Sequence, residues 1–271
     1  VVMAVLVGVT VVLVPVRAVA PGWPVDGWLL VACEVGQGDA LVLSTGEPGT
    51  AIVVDVGPDP ALMDGCLDRL GVGSIALLVL THLHADHVDG MSGALDGRSA
   101  GTIVVGPNRE PADAWQDVTT LAADRGIPVA QYRPGDTVRV GDTTVTVLGP
   151  EKAFTGTDSD PNNDSVVLMA DVSGTRILLT GDIEIQAQQA LLNAGVDLVA
   201  DVLKAPHHGS SKLLERFVDR ASPEVAVIGV GADNDYGHPS PKALSLLERE
   251  GVRTVLRTDT QGDVAVGRQD G

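Results

Sequence analysis

The sequence predicts an α/β protein in which two sheets pack face to face with helices outside. Short apolar segments bounded by glycine-rich turns recur along the chain, as strands do. Segments with helical spacing alternate with them in the later part of each half. The pattern also restarts after a polar stretch at 156–164, so each half begins with strands and then alternates strand and helix. Strand meanders joined to βα units imply layered sheets. Among 271 residues, 44% are apolar and only 3% aromatic, so the core is built from Val, Leu, Ile and Ala.

The elements follow in order. Trp28–Val35, Ala40–Ser44 and Ala51–Val56 read as strands separated by Gly36-Gln37-Gly38-Asp39 and Gly46-Glu47-Pro48-Gly49. Ala61–Leu70 has helical spacing and stops at Gly71. Ile75–Leu80 is a strand, Gly90–Leu95 opens a short helix, Thr102–Val105 is a strand and Trp115–Arg125 a helix. Val129–Tyr132, Thr137–Val140 and Thr143–Leu148 are strands, the last two joined at Gly141-Asp142. Residues 156–164 lack periodicity and read as a loop. Ser165–Val172 and Thr175–Thr180 form a hairpin across Ser173-Gly174. Ile183–Asn193 (helix), Val202–Ala205 (strand), Leu213–Arg220 (helix), Val225–Val230 (strand), Lys242–Glu250 (helix), Thr254–Thr258 and Asp263–Gly267 (strands) complete the chain.

Residues 1–20 differ from the rest. Val1–Val14 contain only Thr10 as a polar residue, and the apolar character runs to Ala20 past Pro15 and Arg17. About 20 residues at about 1.5 Å each approach the thickness of a bilayer core, so the segment reads as the end of a transmembrane helix. Residues 21–28 read as a linker carrying Trp23 and Trp28 as interface anchors, and 29–268 as one domain. The formal charge of −18 repels nucleic acid from most of the surface. It still allows a phosphodiester at a site where divalent cations reverse the local sign. Cys33 and Cys66 lie in no CxxC pattern and away from the histidines. Each is expected as small core filler; the alternative is a bridge between them, should the domain face an oxidising compartment.

The chemistry concentrates in Thr81-His82-Leu83-His84-Ala85-Asp86-His87, directly after an apolar strand, which holds half of the six histidines. Neutral imidazole and carboxylate are the ligand set of zinc and its neighbours. In a strand His82 and His84 point to one side, and the following turn brings Asp86 and His87 round to a second ion. Asp55, Asp182, the His207-His208 pair and His238 likewise lie at strand ends or in the loops after them. In layered α/β folds such ends gather along one edge.

His82-x-His84-x-Asp86-His87 followed by Gly181-Asp182 and a strand-end histidine resembles the metallo-β-lactamase superfamily. Within it, Val35–Ala40, Thr81–His87 with Asp89-Gly90, Asn163 and Ser165, Leu179–Asp182, Pro206–Ser210 and Tyr236–Pro239 resemble the C-terminal domains of the ComEC competence channels, over about residues 29–268. The resemblance implies a four-layer αββα sandwich holding two divalent ions, Zn²⁺ or Mn²⁺, and no nucleotide cofactor. It places His82 and His84 on metal 1, Asp86 and His87 on metal 2, and Asp182 between the two. His208 or its neighbour His207 completes metal 2, and Asp55 orients the ligand loop. Many members carry a third histidine on metal 1; this chain has Asn162-Asn163-Asp164-Ser165 there. Asn163 and Ser165 are therefore expected as harder, weaker donors in its place.

The implied activity is a nuclease that hydrolyses phosphodiester bonds of DNA, single-stranded by expectation, through water activated by two metals. Asp86 is expected to aim that water and His238 to protonate the leaving group or grip the phosphate. Gly209, Ser210, Ser211 and Lys212 are candidate phosphate donors. The family setting implies a bacterial cell membrane, contact with the rest of a multi-span channel, and a hydrolase domain on the extracytoplasmic face. Competing readings are a hydrolase of a small ester (phosphorylcholine, lactone or lactam), and a non-catalytic metal-stabilised channel module. The negative charge and the lack of an aromatic platform for stacked bases favour the first of these competitors.

Overall fold

The computed structural model describes residues 23, 24 and 26–267. The expected end of a transmembrane helix, at 1–20, lies outside the described residues. Among the described residues no helix is long and apolar enough to cross a membrane.

Two seven-stranded sheets form the centre. The first contains β1 (Trp28–Ala32), β2 (Ala40–Ser44), β3 (Thr50–Val56), β4 (Ser74–Leu80), β5 (Ser99–Val105) and β6 (Val129–Gln131). The second contains β7 (Thr137–Val140), β8 (Thr143–Gly149), β9 (Val167–Val172), β10 (Thr175–Leu179), β11 (Val202–Lys204), β12 (Val225–Ile228) and β13 (Thr254–Arg257). Each sheet is antiparallel through its opening meander and parallel through its βα units. The last strand, β14 (Val264–Gly267), crosses back and pairs antiparallel with β1.

Strand alternation sorts the apolar residues into layers. Leu30, Ile52, Val54, Leu77 and Val79 meet Val145, Leu168, Ile177, Leu179 and Val227 between the sheets. The opposite face of the first sheet, with Val31, Val53 and Leu78, packs on Met63, Leu67, Val118 and Ala122 of outer helices. Phe217, Val218, Leu246 and Leu247 cover the second sheet in the same way. The result is the αββα order expected from the sequence.

Helix boundaries follow local chemistry. In α1 (Pro60–Leu70), Asp59 accepts from the amides of Ala61 and Leu62, Pro60 supplies a preset φ, and Gly71 closes the helix at φ +69°. Residues 156–164 are not all loop: Asp160–Asn163 form one helical turn capped by the Ser159 hydroxyl. Thr258, expected to end the preceding strand, instead opens a helical turn, Thr258–Gln261. The first strand stops at Ala32, three residues early, because the chain must turn to reach the histidine loop. Gly38 sits at φ +144°, and a Cβ there would lie 2.1 Å from the carbonyl oxygen of Asp86. The cysteines are not separate fillers: Cys33 and Cys66 form a disulfide that fastens the start of this turn to α1. This is the bridge weighed above as the alternative, and it spans 33 residues of sequence.

Candidate metal centre

The loops after β3, β4, β10, β11 and β12 meet at one edge of the sandwich. Backbone bonds pin them together: the Val166 amide donates to Thr81 O at 2.9 Å, and the His207 amide to Gly181 O at 3.2 Å. Gly181, at φ +51°, lets the chain pass where a Cβ would lie 2.8 Å from Ser165 Cβ and 2.9 Å from Thr81 Cβ. Three non-glycine residues of the site, Asp55, His207 and His208, hold φ between +49° and +59°. Such strain persists only where the surroundings impose it, and it concentrates at functional sites.

Two groups of donors result. His82 Nε2 and His84 Nδ1 face each other at 3.0 Å. Behind them His82 Nδ1 meets the hydroxyls of Thr81 at 3.2 Å and Ser165 at 3.4 Å. In the second group, His208 Nε2 lies 3.2 Å from both Asp86 Oδ2 and Asp182 Oδ2. His87 Nε2 lies 3.3 Å from Asp182 Oδ2 and 3.8 Å from Asp86 Oδ2. The rings of His82 and His87 lie against each other at a tilt, with centroids 4.1 Å apart, so the groups adjoin.

These donors fit a metal. A tetrahedral ion with bonds of about 2.0–2.1 Å places its ligand atoms about 3.3 Å apart, the spacing of the second group. His87 Nε2 and His208 Nε2 are also buried and make no hydrogen bond. Their other ring nitrogens are fixed from behind, His87 Nδ1 on Asp55 Oδ2 at 2.9 Å and His208 Nδ1 on Gly229 O at 2.7 Å. Outer contacts of this kind set the tautomer that leaves Nε2 free to ligate.

Electrostatics agree. Burial opposes charge on His87 and His208, but Asp182 and the other carboxylates outweigh it and hold both imidazoles well above their ordinary pKa. Burial also penalises the Asp182 carboxylate, yet His208, His87 and Lys204 hold it well below its ordinary value. Sites that bind protons this firmly favour other cations too. His82 and His84 behave oppositely: burial, opposed in part by Asp86 and Asp182, keeps both neutral at lower pH than usual.

Two buried partners were not singled out as site residues. Asp39, in the turn after β1, has a carboxylate oxygen within 4.8 Å of donor atoms of His87, Asp182 and His208. Its Oδ2 is taken by the Lys204 ammonium, so Asp86 suits the metal-facing group better. Lys204 itself is fully buried at the end of β11. A buried lysine needs carboxylate partners, and the acid of the Gly36–Asp39 turn was the available signal. Asp55 accepts from the Thr81 amide and hydroxyl, both at 2.7 Å, as well as from His87. Burial pushes its carboxyl up, with His87 opposing.

Other expected residues face elsewhere. Asn163 Oδ1 accepts from the amides of Glu184 and Ala187, both at 3.1 Å, at the start of the helix Ile185–Ala194. Ser165 Oγ accepts from the Asp182 amide at 3.1 Å. His207 Nε2 stands 3.8 Å from Asp182 Oδ2, and its Nδ1 3.3 Å from Glu184 Oε1. Lys212 is drawn onto Glu184 at 2.6 Å and Asp158 at 3.2 Å, and Ser210 Oγ accepts from its amide. Gly209 lies under Pro239, which a Cβ would approach to 2.7 Å, while Ser211 is exposed. His238 sits beside His207 with centroids 5.3 Å apart. Burial and its histidine neighbours lower its pKa to about 4.

The sequence profile of the metallo-β-lactamase superfamily matches residues 33–231. The chain belongs to the metallo-β-lactamase superfamily. It is 30% identical over 252 residues to ComE operon protein 3 of Bacillus subtilis, covering 85% of this chain and 32% of that protein. It is 27% identical over 243 residues to competence protein ComA of Neisseria gonorrhoeae, covering 86% of this chain and 31% of that protein. The chain thus spans about a third of the length of the curated relatives it matches. The fold is also that of YhfI from Bacillus subtilis, a metallo-β-lactamase fold protein, with a TM-score of 0.57 at 12% identity over 87% of this chain and 99% of that one. It likewise matches the metal-dependent hydrolase Tm1679, with a TM-score of 0.55 at 11% identity over 89% of this chain and 100% of that one.

Proposed function

We propose that this chain is the nuclease domain of a DNA-uptake protein and hydrolyses phosphodiester bonds of DNA, single-stranded by preference, with two divalent ions. The observation that carries this reading is the meeting of two donor groups at one sheet edge, in a chain whose relatives bear competence names. His82 Nε2 and His84 Nδ1 would hold one ion; Asp86, His87 and His208 the other; Asp182 would serve both. Two such ions, Zn²⁺ or Mn²⁺, supply Lewis acidity at a phosphoryl oxygen and lower the pKa of water.

The chain's own residues do the rest. Asp86 has a side chain 31% exposed, against 3% for Asp182, so it is the donor that reaches toward solvent and can accept a hydrogen bond from an incoming water and aim it. His238, with its pKa lowered to about 4, is neutral at physiological pH. It grips a phosphate oxygen through a neutral N–H rather than protonating the leaving group as an imidazolium. Lys212, already held by Glu184 and Asp158, shapes the rim, and Ser211 is the phosphate donor open to substrate.

The disulfide supports a domain that faces an oxidising, extracytoplasmic compartment. Residues 1–20 would anchor it to the membrane and to the rest of a channel. Assay of the full chain with Mn²⁺ on single-stranded DNA, on bis-p-nitrophenyl phosphate and on a lactone tests the reading. Cleavage of both phosphodiesters, lost on chelation, is the expected result. Turnover of the lactone alone would transfer the site to the small-ester class that the −18 charge favours.

A further inference from the structure

Lys204 has no part in the chemistry described so far, yet it is among the largest fully buried side chains of the protein. It ends β11, which runs parallel to β10 in the register Leu178 to Leu203. That register carries its side chain to the bend where Gly181 and Asp182 leave β10. Its ammonium makes three contacts there. It pairs with Asp39 Oδ2, donates to the carbonyl of Gly181 at 3.0 Å, and lies 3.4 Å from Asp182 Oδ1. The peptide before Asp182 and one oxygen of its carboxylate are thus held by the same cation.

The other oxygen, Asp182 Oδ2, faces the imidazoles of His87, His208 and His207 at 3.3, 3.2 and 3.8 Å. We infer that Lys204 is the positioning residue of the metal centre: by occupying Asp182 Oδ1 and the Gly181 carbonyl, it leaves Asp182 a single oxygen with which to bind metal. A free carboxylate can chelate one ion or span two through both oxygens. With Oδ1 engaged, only Oδ2 is offered, and the two donor groups must share it. Asp39 has the complementary part. It gives the ammonium a second carboxylate besides Asp182, so the buried lysine keeps its charge. Asp39 is held in turn by Gly57, whose amide donates to Asp39 O at 2.8 Å, and by Asp86, whose carbonyl accepts from the Asp39 amide at 3.2 Å.

This inference rests on the proposed metal centre, so the wild-type chain is the control. A buried ion pair is best removed as a pair, since one partner left alone is strongly destabilising while a neutral replacement is tolerated. The test compares full-length wild type, Asp39→Asn, and the double variant Asp39→Asn/Lys204→Met. Each is followed by thermal unfolding, Mn²⁺ titration, and the electron paramagnetic resonance spectrum of the loaded protein. Asp39→Asn leaves Lys204 with Asp182 as its remaining carboxylate, so it is expected to fold at a lower unfolding temperature and to bind Mn²⁺ within threefold of wild type, with an unchanged spectrum. The double variant is expected to fold, to bind Mn²⁺ at least tenfold more weakly, and to show altered coupling between the ions. Wild-type affinity and spectrum in the double variant would overturn the role of Lys204. So would an equal loss in Asp39→Asn, which would place the effect on Asp39. If the double variant does not fold, Asp39→Asn/Lys204→Gln decides, since it keeps a donor but no cation: weaker Mn²⁺ binding with an altered spectrum supports the contact, and wild-type affinity with the wild-type spectrum overturns it. Failure of the wild type to take up Mn²⁺ would remove the metal centre and this inference together.

Discussion

Replacing Asp55 by Asn changes one atom, and the structure dictates a larger consequence. Asp55 Oδ1 accepts from the Thr81 amide at 2.7 Å, and Oδ2 from the Thr81 hydroxyl at 2.7 Å and His87 Nδ1 at 2.9 Å. An asparagine has one acceptor oxygen, so its NH₂ must face either the Thr81 amide or His87 Nδ1. The first choice opposes two donors and leaves a buried amide unpaired, at about 1–3 kcal/mol. The second forces His87 to carry its proton on Nε2, the atom 3.3 Å from Asp182 Oδ2 that is to bind metal. Loss of such an outer contact weakens metal binding by about 10–100-fold. Asp55→Asn should therefore fold, unfold a few degrees below wild type, and bind Mn²⁺ about 10–100-fold more weakly in calorimetric titration. Binding within twofold of wild type, with the fold intact, would refute the claim that Asp55 sets the tautomer of His87.

Further expectations concern the ligands, pH, the disulfide and the rim. Asp182→Ala should remove phosphodiesterase activity entirely, because Oδ2 is the oxygen that faces His87 and His208 and is proposed to serve both ions; retained cleavage of single-stranded DNA would end the two-metal scheme. The raised pKa values of His87 and His208 stabilise the metal-free fold fully below about pH 6.5, and this contribution is lost as pH rises through their folded values. Metal must displace those protons, so Mn²⁺ affinity should climb with pH while metal-free stability falls; scanning calorimetry with and without Mn²⁺ should show a gap that widens toward alkaline pH. Cys33→Ser/Cys66→Ser opens a loop of 33 residues. It should cost about 3–4 kcal/mol on the loop-entropy account, read by denaturant unfolding; no change in midpoint would contradict it. His238→Ala should raise KM for a phosphodiester several-fold and leave Mn²⁺ affinity unchanged; a lost metal ion would place His238 among the ligands instead.

Much of this was legible in the sequence for physical reasons. Strand–turn patterning survives single-sequence reading when strands are buried on both faces, as Ile52–Val54 and Leu77–Val79 are. Donors packed into one local motif, His82 to His87, declare their chemistry because polar groups this dense are costly unless they act together. Elements fixed by contacts distant in sequence were hidden. The helical turn at Asp160–Asn163 depends on a cap from Ser159, and Asn163 spends its carboxamide on a helix that begins more than 20 residues later. Lys204 looked like one more residue of a strand. Only the register of β11 against β10 brings it beneath Asp182, and register is not written in the composition of either strand. For the cysteines the sequence left core filler and a bridge both open, because nothing local tells Cys33 that α1 will lay Cys66 beside it.

Where cations bind decides the chemistry of this edge of the sandwich. Anomalous diffraction from crystals of the Mn²⁺-loaded chain locates them without recourse to activity. Two peaks are predicted, one between His82 Nε2 and His84 Nδ1 and one among Asp86, His87 and His208, with Asp182 Oδ2 touching both. A single peak on Asp39, or none at this edge of the sandwich, would contradict the two-metal scheme.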